Sequence, residues 1–149
     1  MNYYHYTESG LSNVWLCNGF VEHKTPYGNG VSIEKLDTLH HAISLFLVNK
    51  DSRLNGEEFR FLRKELDLSQ GRLGSLLGCE DQTIANWEKE NTPLPQIADA
   101  TIRMMYKEKH GGNQNFTKLI EFLNDLDRQE YTLRVKEEGD NWKVTQEAA

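Results

Sequence analysis

The chain has 149 residues, 17 basic and 23 acidic, with a net charge of −6 and a mean hydropathy of −0.69. That length suits one compact domain, with or without an appendage, burying about 68–70% of the unfolded surface. The acidic balance argues against a broad nucleic-acid coat and leaves room for a localised reading face; two cysteines, Cys17 and Cys79, make no disulfide framework.

Residues 1–33 read as strand and loop. Tyr4 and Tyr6 alternate. Residues 14–17 and 20–23 flank Asn18-Gly19, a dipeptide that favours a tight hairpin turn. Pro26 and Tyr27-Gly28-Asn29-Gly30 mark another turn. Nothing here resembles a signal peptide, so a reducing cytoplasm is the expected compartment. A helix is expected over 32–49, where Leu36, Leu39, Ile43 and Leu47 fall at helical spacing. The longest apolar run, 42–48, is far too short to span a bilayer. On that helix His40 and His41 would point about 100° apart, poorly placed to share one metal. His40 is expected in the core or at an interface. Asp51-Ser52-Arg53 is a polar joint, and Asn55 suits the cap of a following helix.

Residues 68–93 read LSQGRLGSLLGCEDQTIANWEKENTP. Ser69 is a good N-cap, and the helix it opens would carry Leu73, Leu76 and Leu77 inward. Gly74 faces the next helix, where a small residue permits close approach. Gly78 suits the left-handed conformation that ends a helix. A second helix is expected over 81–89, with Ile84 and Trp87 on one side and Gln82, Thr83, Asn86 and Lys89 on the other. Asn and Gln can bond adenine at two positions, so the layout suits a helix-turn-helix reading a major groove. The same pattern also suits an ordinary helical hairpin with a polar solvent face. Residues 50–109 hold ten basic and eleven acidic side chains, which makes this part nearly neutral.

Pro95 opens a helix expected over 95–109, with Ile97, Thr101, Met104 and Met105 along one stripe, ended by Gly111-Gly112. Another helix begins within 113–115 and carries Phe116, Leu119, Ile120, Leu123 and Leu126. That stripe suits either the protein's own core or a dimer interface. Tyr131, Leu133 and Val135 alternate, 138–141 turn, and Trp142 and Val144 alternate again, which predicts a hairpin.

The stretch 56–106 resembles the XRE family, the Cro and lambda-repressor type of helix-turn-helix. The matching residues are Leu68-Ser69-Gln70, Leu73, Leu76-Leu77-Gly78, Thr83-Ile84, Trp87-Glu88, and Pro93 or Pro95. The resemblance implies that Gln70 touches a phosphate, that Asp81, Gln82 and Asn86 face bases, and that Arg63 pairs with Glu88. The departures are Gly74, where Ala is usual, and the acidic Glu80-Asp81 at the front of the reading helix. Asp81 could accept from a cytosine amino group. The order of a small β unit, a helix and such a module also resembles MqsA-type antitoxins, through Ser9-Gly10-Leu11, Asn13-Val14-Trp15-Leu16, Val31-Ser32-Ile33 and Leu39-His40. Those proteins hold zinc with two Cys-x-x-Cys pairs. Here only Cys17 lies in that unit, with His5 and His23 scattered, so no metal is expected.

The expectation is therefore a mainly α, α+β chain with a five-helix XRE-type centre and small β units at both ends. The expected division is 1–50, 51–110 and 111–149. The expected function is a dimeric repressor of a palindromic operator, or else an antitoxin that sequesters a toxin protein and autoregulates its operon. A third reading has the helix-turn-helix making protein contacts only. DNA contacts are expected from Ser69, Gln70, Asp81, Gln82, Thr83, Asn86 and Lys89. No catalytic grouping, phosphate-loop spacing or cofactor motif is present, so no enzyme, cofactor or membrane partner is expected.

Overall fold

A computed structural model describes residues 2–111, 115–124 and 131–148. These form six helices and three two-stranded antiparallel sheets, an α+β arrangement. None of the helices is long and apolar enough to cross a membrane.

The N-terminal pairing differs from the expected one. Strand β1 (Tyr4–His5) pairs with β2 (Trp15–Leu16) across a loop holding a 3₁₀ turn, Thr7–Ser9. Strand β3 (Phe20–Thr25) pairs with β4 (Gly28–Ile33) about Pro26-Tyr27, so the hairpin turn sits there and not at Asn18-Gly19. Gly19 does turn the chain, with φ 77, but its carbonyl accepts from the Glu34 amide at 2.8 Å. The dipeptide thus leads from one sheet to the next. Val31, Ser32 and Ile33 complete β4 opposite Glu22, Val21 and Phe20. Lys35, at φ 52, then breaks the chain direction, and helix α1 (Leu36–Asn49) starts later than expected.

Helix α1 buries Ser44, Leu47 and Val48, half-buries Leu39 and Ile43, and leaves Leu36 exposed. His40 is half-buried. Its Nε2 lies 2.7 Å from the Tyr6 hydroxyl and its Nδ1 3.3 Å from the Glu65 carboxylate. It therefore ties α1 both to the β unit and to helix α2 (Gly56–Glu65). Asn55 caps α2 as expected: its Oδ1 accepts from the Glu58 amide, and Glu58 Oε1 accepts from the Asn55 amide, each at 2.8 Å. This reciprocal cap satisfies two otherwise orphaned donors.

Helix α5 (Gln96–His110) turns a different stripe inward from the expected one. Ile97 and Met104 are 75% and 47% exposed, while Ala98, Ile102, Met105 and Tyr106 are buried at helical spacing. Thr101 and Met105 are buried as expected. Asp99 is buried as well, because Arg103 neutralises it: Nε donates to Asp99 Oδ1 at 2.6 Å. The same guanidinium donates to the carbonyls of Lys50 and Ser52, and Asp99 accepts from the Leu54 amide at 3.3 Å. The polar joint at 51–53 is therefore clamped to α5.

One apolar cluster joins these parts. Phe59, Leu62, Leu73, Ile84, Ile102 and Tyr106 form its centre, and Leu11, Leu47 and Val48 enter it from the N-terminal unit. Helix α6 (Asn115–Asn124) packs Phe116 and Ile120 against the cluster but leaves Leu119, Phe122 and Leu123 exposed. Its apolar face is thus only half used. Leu126 and Gly112 lie outside the described residues. Strands β5 (Tyr131–Glu138) and β6 (Asn141–Ala148) pair about Gly139-Asp140, as the alternation predicts.

Candidate nucleic-acid interface

Two eight-residue helices, α3 (Gln70–Leu77) and α4 (Asp81–Glu88), are joined by Gly78, Cys79 and Glu80. Ser69 caps α3, its Oγ accepting from the Arg72 amide at 3.0 Å. Leu73, Gly74 and Leu76 are buried, and Leu77 half-buried. Gly78 ends the helix at φ 75, and the Cys79 amide donates to the Gly74 carbonyl at 2.8 Å. A Cβ on Gly74 would sit 2.6 Å from the Cys79 carbonyl oxygen, so glycine is what lets the turn close this tightly. Burial pushes the Cys79 thiol above its ordinary pKa, which keeps it neutral, as a packing residue should be.

Helix α4 turns Ile84, Ala85 and Glu88 inward. Trp87 is half-buried, its ring edge-on to Phe59 with centroids 6.0 Å apart. The outer face carries Asp81, Gln82 and Lys89, all exposed, with Thr83 and Asn86 half-buried. Gln82 Nε2 donates to Asn86 Oδ1 at 3.2 Å. Two amides that could read bases thus hold each other in place, and a base bonded by Asn86 Oδ1 must displace that contact.

A buried ion pair sets the angle of α4. Arg63 Nε and Nη2 donate to the two Glu88 carboxylate oxygens at 2.6 and 3.0 Å, and Nη1 donates to the Leu68 carbonyl at 2.9 Å. The side chains are 9% and 3% exposed. Gln70 Nε2 adds a third donor to Glu88, at 3.1 Å. So Gln70, expected on a phosphate, spends its amide nitrogen on the scaffold, which leaves its carbonyl oxygen for another partner.

These groups line an open cleft of about 490 Å³, together with Arg60, Ser69, Ala85 and Lys89. Arg63 and Glu88 cancel there. Arg60 and Lys89 are exposed and hold no ion pair among the described residues, so the cleft mouth is net positive. The sequence reading missed Arg60. Its signal was position: it precedes Arg63 by one helical turn, on the same side of α2. The acids Glu80 and Asp81 lie at the other end of α4, about 12 Å away by helix rise. Acid at a helix start and base at its end both favour the helix dipole, which gives Glu80-Asp81 and Lys89 a structural reason as well.

No protein-family model matches the chain, and no curated protein or solved structure matches it. Among the described residues no group of three or more His, Cys, Asp or Glu side chains could hold a metal ion.

Proposed function

We propose that the chain is a sequence-specific DNA-binding regulator of the XRE type, acting as a dimeric repressor of a palindromic operator. The observation that carries this reading is the pinned pair of short helices. Arg63, Gln70 and Glu88 hold α4 rigidly while its outer face presents short polar side chains that the core does not use. A rigid element with a polar face turned away from the core suits groove reading, since base contacts need fixed geometry. In this reading Gln82, Thr83, Asn86 and Asp81 face bases. Ser69, Gln70, Arg60 and Lys89 border the cleft where a phosphate would lie. No cofactor or metal is required, no reaction is catalysed, and a reducing cytoplasm is the natural setting. A lone short helix reads few base pairs, so two copies with reading helices roughly 34 Å apart would double the site.

Selection of bound sequences from random duplex DNA tests this directly, and a reproducible palindrome is the expected result. On the selected site, Asn86→Ala should cost about 1–3 kcal/mol and relax preference at one position. Lys89→Ala should weaken selected and scrambled duplexes alike and flatten the salt dependence. If Asn86→Ala lowers both affinities equally, Asn86 does not read bases and the orientation assigned to α4 is wrong.

A second reading, an antitoxin that sequesters a toxin protein, is favoured by one surface of the N-terminal unit. Leu11, Val14, Trp15, Ile43 and Phe46 line a groove of about 390 Å³ that Asn13 and Glu58 also border, with Trp15 and Phe46 57% and 70% exposed at its rim. Apolar rims of this kind mark protein contacts. Co-expression with the product of the adjacent reading frame tests it. Rescue of growth by the wild-type chain, and not by Phe46→Asp, is the result expected of an antitoxin.

A further inference from the structure

We propose that the C-terminal hairpin is a self-association surface, and that its apolar face stacks on the same face of a second copy of this chain. The inference deepens the dimeric part of the reading above, resting on it for the two-fold stoichiometry and not for the DNA contact. Directly opposed residues in an antiparallel pair point to the same face. The register places Val135 opposite Val144, Leu133 opposite Gln146, Tyr131 opposite Ala148 and Glu137 opposite Trp142. One face therefore carries every large apolar side chain of the hairpin. The other carries only Thr, Arg, Lys, Glu and Asn, with Arg134 and Glu147 forming an ion pair at 3.2 Å.

That segregation is the pattern of a sheet with one face in water and one face covered. Yet all eight residues of each strand are exposed, and Trp142, Val144, Tyr131, Val135 and Leu133 are 50–68% exposed. A two-stranded hairpin alone is marginal in water and needs a cover.

Area and charge both point to a second copy as that cover. Trp and Tyr side chains each bring about 150–250 Å² when fully covered. Fully covered, two aromatic and three aliphatic side chains from each copy, all half exposed or more, reach together about 1,000 Å², the lower bound that a specific interface has to clear. The strips match in length by construction, and face-to-face sheets pack about 10 Å apart. The one charge on the face, Glu137, lies at its turn end. Antiparallel stacking carries each Glu137 to the open end of the other hairpin, beside Tyr131, whereas parallel stacking would oppose two carboxylates. The two-fold, self-complementary arrangement follows.

The test compares two lysines one residue apart on β5, in the full chain without DNA. Leu133→Lys puts a charge on the apolar face; Thr132→Lys puts it on the polar face. By sedimentation equilibrium, the wild type and Thr132→Lys should be dimers at micromolar concentration, and Leu133→Lys should raise the dissociation constant about tenfold or more. The hairpin lies outside the apolar core, so helical melts of all three should superimpose. A monomeric wild type overturns the inference, as does a hairpin that folds back on its own chain and so leaves the protein monomeric. Equal weakening by the two lysines, or a Leu133→Lys dimer as tight as the wild type, overturns it too. In the last case the reading of DNA by a dimer survives with its interface elsewhere. Loss of sequence preference in the duplex selection, with the Leu133→Lys effect intact, removes the DNA reading and leaves this interface standing.

Discussion

Replacing Glu88 by Gln is expected to lower the unfolding free energy by about 3–5 kcal/mol, as removal of one partner from a buried ion pair does. The carboxylate accepts from Arg63 twice and from Gln70 once, and both charged side chains are less than a tenth exposed. Glutamine keeps the shape but not the charge. The Arg63 guanidinium then stays buried with one carbonyl, that of Leu68, and one amide oxygen. Denaturant melts of Glu88→Gln and Arg63→Met should both show the loss. The double variant Arg63→Met/Glu88→Leu should recover much of it, because an apolar pair of similar volume strands no charge. Gln70→Ala should cost only about 1.5 kcal/mol, the low end for a hydrogen bond to a charged group, since the acceptor keeps two others. Single variants within about 1 kcal/mol of the wild type would place the pair in the class of solvated surface bridges and remove the pin from the account of α4. DNA affinity supplies a second readout. Gln70→Ala leaves the Arg63–Glu88 fork intact, so a loss of affinity in that variant larger than its small loss of stability would assign Gln70 to the duplex as well as to the scaffold.

How much of this was legible beforehand depended on whether the signal was local. Asn55, Ser69 and Gly78 act on their own backbone, and each sits at the cap the sequence implies. The β5–β6 hairpin was equally legible, since alternation and the 138–141 turn lie within one short segment. The Arg63–Glu88 pairing came from resemblance alone, because nothing local links residues that far apart. Asn18-Gly19 misled because its turn propensity is genuine, as the φ of Gly19 shows, while the choice of strand partner is made by distant residues. The inward face of α5 was misjudged for a related reason. Asp99 looks like a surface residue until Arg103 and the backbone of 50–54 are seen to surround it. Asp99 shares the buried face of the helix with Ala98 and Ile102, and Ile97 lies outside it. Arg60 carries no local signal, because its importance lies in holding no ion pair among the described residues beside the cleft of Arg63 and Glu88.

The second large effect is expected at Gly56, the first residue of α2. A Cβ built there would lie 2.3 Å from the Glu88 carbonyl oxygen and 2.7 Å from that of Trp87. Those are backbone atoms of the end of α4, so no side chain can swing aside to make room. The Gly56 amide also donates to the Glu90 carboxylate at 3.0 Å, and Glu90 is held at φ 61. The start of α2 and the end of α4 are thus in backbone contact, and glycine is required for closeness rather than for an unusual φ. Gly56→Ala should cost about 3 kcal/mol, at the upper end of the usual range for forcing extra carbon into a packed site. Helix propensity alone would predict a gain of up to about 1 kcal/mol for the same change, so the sign of the result separates the two effects. Gly74→Ala is the informative companion. Its Cβ would meet the Cys79 carbonyl oxygen at 2.6 Å, again a backbone atom, here of the turn, but with fewer close neighbours than at Gly56, so a smaller loss is expected. Because that turn sets the angle between α3 and α4, Gly74→Ala should weaken preference for the selected duplex more than it lowers the melting midpoint. Gly56→Ala should reverse that order, since it displaces α4 as a whole from α2. Calorimetric melts and binding to selected and scrambled duplexes, run on both variants, give the comparison. A Gly56→Ala protein as stable as the wild type would show that the α2–α4 contact is looser than 2.3 Å implies, and with it that α4 is not rigidly placed.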